Sequence, residues 1–148
     1  MSEQDNIAFF DELTGKVLAC LYGAFPVPTP LLAKDFVDEP LAYSEHVMSE
    51  VASDQAEFFI ATCEWLRRAG YIDADERDPY NLIVREAVLT AKGLELLKVR
   101  PQNLTDEPTL GEQLATATRD GATDAAKKTV SEVLGMGARF MMHGISSL

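Results

Sequence analysis

Two histidines, His46 and His143, and two cysteines, Cys20 and Cys63, are the only imidazole and thiol groups in this chain. The histidines lie far apart, and none of the four stands in the paired spacing of a zinc site, so no metal is expected. Cys20 and Cys63 each fall on an apolar helical stripe, which predicts two buried, reduced thiols. Glu45, His46 and Glu50 could line one helix, and a solvated helix face accounts for them. Ser44, Ser49 and Ser53 have no base at a spacing that signals nucleophilic catalysis. Gly135-Met136-Gly137 lacks the preceding strand and the lysine of a phosphate-binding loop. Carboxylates abound, but in a chain with 24 acidic residues no pair stands out. The expectation is a protein that is not an enzyme and holds no cofactor.

Composition narrows the class further. An apolar fraction of 47% over 148 residues is enough for a folded core. The formal charge of −11 repels phosphate backbones and anionic lipid headgroups, so basic or neutral protein partners fit better. No stretch has the length and hydropathy of a membrane span, and the first residues lack a signal-peptide pattern, which predicts a cytoplasmic protein.

The elements that must position any site follow from periodicity. Phe10, Leu13, Val17 and Leu21 form one stripe along a helix of about Asn6 to Tyr22, stopped at Gly23. Pro26, Pro28 and Pro30 force an extended connection. Thr29 as N-cap and Pro30 at the first helical position then predict a short helix through Phe36. Val47, Met48 and Val51 predict a further short helix from about Tyr43. Ser53 caps the next helix, which carries Phe58, Phe59, Cys63 and Leu66 and ends at Gly70. Arg67 and Arg68 in its last turn complement the helix dipole. Tyr71-Ile72 begins a strand, an acidic turn holds Asp73, Asp75, Glu76 and Asp78 against Arg77, and Leu82 to Leu89 form a second strand. Thr90 caps a closing helix. Phe36, Phe58, Phe59 and Trp65 are expected in the core, whereas Tyr71 and Tyr80 flank the turn, and their spacing leaves open whether they are exposed. Burial of Trp65 implies that Trp65→Ala costs about 3–5 kcal/mol.

Two segments, Trp65-Leu66-Arg67-Arg68-Ala69-Gly70-Tyr71-Ile72 and Leu89-Thr90-Ala91-Lys92-Gly93-Leu94-Glu95-Leu96-Leu97, resemble the core of winged helix-turn-helix proteins. The resemblance covers about Phe9 to Val99 and assigns no specific family. It implies a mainly α fold with a small β-wing, in which the helix ending at Gly70 is the recognition helix. A threonine-capped helix containing Lys-Gly often follows the wing in bacterial regulators of this kind. The implied activity is DNA binding, with Gln55, Thr62, Arg67, Arg68, Arg77 and Lys92 as candidate nucleic-acid contacts. The charge departs from that pattern. Asp54 and Glu57 open the recognition helix, and residues 1–53 hold nine acids against two bases.

Beyond Pro101 the composition changes. Residues 1–100 read as a winged-helix-like domain, 101–108 as a linker, and 109–148 as an Ala/Gly/Thr-rich helical tail. Gly121, Gly135 and Gly137 each weaken a continuous helix there by about 1 kcal/mol relative to Ala. Gly111, Ala115, Gly121 and Ala125 would let helices approach closely. Leu110, Leu114, Gly121, Ala125, Val130, Val133, Leu134, Gly137, Phe140 and Met141 compose a face for self-association, for packing on the chain's own domain, or for docking to a partner groove.

Two functions follow. One is a non-catalytic winged-helix protein acting through protein–protein interaction, with the C-terminal helix mediating self-association into a homo-oligomer. The alternative is a DNA-binding transcriptional regulator, which the net charge disfavours.

Overall fold

The computed structural model describes residues 3–76, 82–101 and 106–146, with side chains described for 6–76, 82–101 and 106–139. The element order is α1 (Glu3–Ala24), β1 (Thr29–Leu32), a 3-10 turn (Ala33–Asp35), β2 (Leu41–Ser44), β3 (Ser49–Ala52), α2 (Asp54–Arg68), β4 (Ile72–Asp73), β5 (Ile83–Leu89), α3 (Ala91–Leu97), α4 (Leu110–Asp120) and α5 (Thr123–Ser146). It is a mainly helical protein with a small antiparallel sheet of order β1-β5-β4 and a separate hairpin of β2 and β3.

The helix stripe from Phe10 to Leu21 becomes α1, whose Leu13, Val17, Leu18 and Leu21 are buried. This helix runs between α2 on one side and α4 and α5 on the other. Its Gly15 leaves room for Val130 and Leu114, whose methyls would lie 3.3–3.4 Å from a Cβ there.

Thr29 to Phe36 departs from the expected helix. Thr29–Leu32 pairs with β5, in register Leu31 with Val84, and the register shifts between Thr29 and Leu31. Pro30 lies at that irregularity in an edge strand, where a residue without an N–H is tolerated. The Thr29 hydroxyl donates to Val27 O at 2.9 Å instead of capping a helix.

The helix expected from Tyr43 is a β-hairpin, with Leu41 opposite Ala52 and Tyr43 opposite Glu50. Tyr43, Val47 and Val51, the three β-branched or aromatic residues within this dozen, fit both periods, and pairing between the two short runs decided the outcome. Ser53 anchors the hairpin to α2. Its N–H donates to Pro40 O at 2.9 Å, its hydroxyl donates to Glu39 O, and that same oxygen accepts from Ala56 N at 3.1 Å as the N-cap.

The end of α2 follows a Schellman pattern. Tyr71 N donates to Leu66 O at 2.9 Å and Gly70 N to Arg67 O at 3.1 Å, with Gly70 at φ +86°. Thr90, capping α3, donates from its hydroxyl to Gly70 O at 2.6 Å and accepts from Gly93 N at 3.0 Å. Gly93 is required there, because a Cβ would collide with the Tyr71 carbonyl oxygen. The Thr-Ala-Lys-Gly run thus clamps the start of α3 onto the end of α2.

The C-terminal segment is two helices broken at Gly121, which caps α4 at φ +70°. They are not set apart from the rest: Leu110, Leu114, Ala126, Val130 and Val133 belong to the same buried cluster as Leu13 and Val17. The segment read as a linker turns back on itself where it is described, since Leu110 N donates to Val99 O at 2.8 Å and Arg100 Nε to Glu107 O at 3.1 Å. Gly111 sits under the Tyr22 ring, 2.7 Å from where its Cβ would be. Among the described residues, no helix is long and apolar enough to cross a membrane.

Candidate docking surface

The residues named above as nucleic-acid contacts are mostly committed within the chain. Thr62 is buried and donates to Phe58 O at 2.9 Å. Gln55 Oε1 accepts from Glu39 N at 3.3 Å, helping to hold the hairpin. Lys92 Nζ donates to Ala69 O at 2.9 Å and lies 4.2 Å from the centre of the Tyr71 ring. Partial burial pulls the Lys92 ammonium below its ordinary pKa. Arg67 lines a crevice with Glu64, Asp75 and Glu76, and its Nε has no hydrogen-bond partner among the described residues. Arg68 is exposed at the end of α2. Arg77 lies outside the described residues, as does Tyr80.

The tail residues divide in the same way. Leu110, Leu114, Val130 and Val133 are buried within the chain and Leu134 partly so, while Ala125 is exposed. Gly121 is an exposed helix cap. Gly137 is packed against Tyr71. The side chains of Phe140 and Met141 lie outside the described set, and so does that of His143.

Two expectations about single residues, for Cys20 and Trp65, are corrected, and the exposure of Tyr71, open in the sequence, is decided. Cys20 is exposed, whereas Cys63 is buried and its thiol pKa is pushed up to about 12 by burial, with Glu64 adding to the effect. Tyr71 is buried, only 4% exposed, because the body of its ring lies between Trp65 and Lys92 and its hydroxyl reaches α5. Trp65 is not in the core: it is 47% exposed.

The helical wheel explains Trp65. At about 100° per residue, position 65 lies about 180° from position 56, and Ala56 is fully buried. Phe58 and Ala61 share the outward arc with Trp65, so α2 carries an apolar strip on its solvent face. The N-terminal part of α1 lies beside this strip. The Phe10 and Trp65 rings meet edge to face at 5.3 Å, Trp65 stacks on Tyr71 at 6.1 Å, and Phe9 lies 4.9 Å from Phe58. Between the helices runs a groove of about 390 Å³ lined by Asn6, Ile7, Phe10, Phe58, Ala61, Thr62 and Trp65, with Ile7 62% exposed.

Charge is distributed unevenly along the chain. Residues 1–66, which contain α1 and nearly all of α2, hold twelve acids and two bases. Residues 67–148 hold twelve acids and eleven bases. The two helices that build the groove, α1 and α2, together hold seven acids and three bases, and the residues lining the groove are uncharged. A second groove of about 660 Å³, between α3 and α5, has Leu96, Val99 and Met136 in its wall and a rim of mixed sign, Lys92, Glu95 and Arg139.

Comparison with protein-family models, with curated proteins and with solved structures returns no match. Among the described residues, no group of three or more His, Cys, Asp or Glu side chains could hold a metal ion. The groove between α1 and α2 offers apolar contact.

Proposed function

We propose that this chain is a non-catalytic interaction protein, a winged-helix scaffold that receives a protein partner in the groove between α1 and α2. The winged-helix reading is supported by the strand order β1-β5-β4, with α2 entering the β4–β5 pair as a recognition helix enters a wing. The β2–β3 hairpin is then an insertion ahead of that helix. The docking reading is carried by Trp65, a large aromatic residue exposed on the outward face of α2 and continuous with Ile7 and Phe10. Exposed apolar side chains gathered in a groove mark interaction surfaces, whereas the same residues scattered singly would need no explanation.

Self-association through the tail would compete with α1 for Leu110, Leu114, Val130 and Val133, so this reading gives α4 and α5 the task of supporting α1 and leaves contact with other molecules to the groove. DNA binding has the strand order in its favour, but three of its candidate contacts, Gln55, Thr62 and Lys92, already bond within the chain.

Affinity capture from native host cells tests the reading, comparing the wild-type chain with Ile7→Gln. The expected outcome is a protein retained by the first and lost by the second. An identical captured set, together with salt-sensitive binding of duplex DNA, would replace docking with the regulator reading.

A further inference from the structure

We infer that the outer edge of β2 receives one further strand, a short extended segment of a partner protein with β-branched apolar residues at its centre and a lysine or arginine at each end. This edge shares no residue with the α1/α2 groove, and the inference stands without that reading.

The β2–β3 hairpin stands almost uncovered. Ten of the twelve residues from 41 to 52 are exposed, on both faces of the ribbon. Leu41, Tyr43, Val47, Met48 and Val51 are five of the nine large hydrophobic side chains exposed among the described residues, with Tyr43 at 64%. A two-stranded ribbon without cover is marginal in water. The hydrogen bonds that tie this one down, from Ser53 and to Gln55, sit at its base.

Register shows which main-chain groups are free. Ser53 N donates to Pro40 O, which makes Pro40 and Ser53 a bonded pair at the open end of the ladder. Bonded and unbonded pairs alternate in an antiparallel ladder, so Ala42 bonds with Val51 and Ser44 with Ser49. The N–H and C=O groups of Leu41 and Tyr43 therefore point the other way, along the side of β2 where no strand lies among the described residues. Such a row is a template for an added antiparallel strand, and main-chain hydrogen bonds specify an extended occupant. The edge of β3 carries Glu50, whereas β2 holds no charged side chain within its length.

Charge selects the ends of the occupant. Glu39 and Glu45 flank β2, both are exposed, and neither is ion-paired among the described residues. Exposed Glu50 stands across from Tyr43, and no lysine or arginine occurs between Lys34 and Arg67. A second copy of this chain fits poorly. In the antiparallel register that uses both outward-facing residues, Leu41 opposite Tyr43, Glu45 of one copy would fall opposite Glu39 of the other at both ends, like charge against like. A strand with a cation at each end meets the same carboxylates with attraction.

The probe is the peptide Lys-Thr-Val-Thr-Val-Thr-Lys, blocked at both termini, whose valines fall opposite Leu41 and Tyr43 and whose lysines fall opposite Glu39 and Glu45. Hydrogen exchange followed by NMR is expected to show the amides of Leu41 and Tyr43, open in the free chain, slowed about tenfold or more at saturating peptide. Methyl groups on the two valine nitrogens remove the donors that face β2 and are expected to weaken binding about tenfold or more. A methyl group on the central threonine nitrogen, which faces away, is expected to change it by less than about threefold. Glutamates in place of the lysines are expected to weaken binding about tenfold or more at low salt. Unchanged exchange at both amides overturns the inference, and so does equal weakening by the two methylation patterns. Equal or tighter binding of the glutamate peptide overturns the charge assigned to the partner, and the inference with it. Protection of the same two amides in the peptide-free chain, with a dimer in light scattering, makes a second copy the occupant and overturns the inference.

Discussion

The hydroxyl of Tyr71 fills the space that a side chain at Gly137 would need: a Cβ there would collide with the Tyr71 hydroxyl oxygen and lie 2.9 Å from its ring carbon Cζ. This contact joins α5 to the turn that follows α2, and the same Tyr71 ring carries Trp65 on one side and Lys92 near its centre. The groove is thus braced from behind by the C-terminal helix.

Gly137→Ala is expected to destabilise the chain by about 1–3 kcal/mol through overpacking. Tyr71→Phe, made in the Gly137→Ala background, is expected to recover part of that loss because the hydroxyl is the nearest obstacle. Chemical denaturation of the two single variants and the double variant measures the coupling, and additive costs would show that the two residues do not meet.

Lys92→Met removes the hydrogen bond to Ala69 O and the charge near the Tyr71 ring, and about 1–2 kcal/mol of stability is expected to go with them. Thermal unfolding checks this. A fully stable Lys92→Met protein would return the lysine to the pool of available surface cations.

Trp65→Ala is expected to cost about 1–2 kcal/mol, well below the loss for a fully buried aromatic, because half of the ring already faces solvent. Acrylamide should quench Trp65 emission readily in the native state. Strong protection from quenching would place the ring in the interior.

The two thiols should separate by environment. Under native conditions a thiol reagent is expected to modify exposed Cys20, faster as pH rises because partial desolvation of its sulfur and then Asp35 hold its pKa up, while Cys63 reacts only on unfolding. Since the folded pKa of Cys63, about 12, lies above its unfolded value, the unfolded state releases its proton first as pH rises. Cys63 therefore contributes a loss of stability that begins near pH 9 and grows toward pH 12. Comparing alkaline unfolding of wild type and Cys63→Ala isolates it, and parallel curves would contradict the burial of the thiol.

A chain ending at Gln102 lacks the helices that pack against Gly15 and Tyr22 of α1. It is expected to unfold or aggregate, because removing α4 and α5 exposes the apolar side of the central helix. Far-ultraviolet circular dichroism and light scattering give the answer, and a folded, monomeric 1–102 fragment would show that the tail is a separate unit after all.

What local chemistry determines was legible in the sequence. The stripe of α1, the caps at Ser53, Thr90 and Gly70, and the strand after Gly70 depend on neighbours within a few residues, and each stands where its spacing places it. Even the exposure of Trp65 follows from its position opposite Ala56, an angle overlooked in grouping it with Phe36, Phe58 and Phe59 on the buried stripes. Other features were settled by partners distant in the chain. Thr29–Leu32 is a strand because β5 offers its edge, although Thr29-Pro30 also suits a helix start. Residues 41–52 form a hairpin because two short runs pair and Ser53 ties them to Glu39 and Pro40. The tail's apolar face is buried because α1 presents Gly15 and Tyr22 to it, and the pattern of that face reads the same whether it meets its own chain or another. Periodicity states that a surface must be covered, and only the tertiary structure, by bringing remote residues together, decides what covers it.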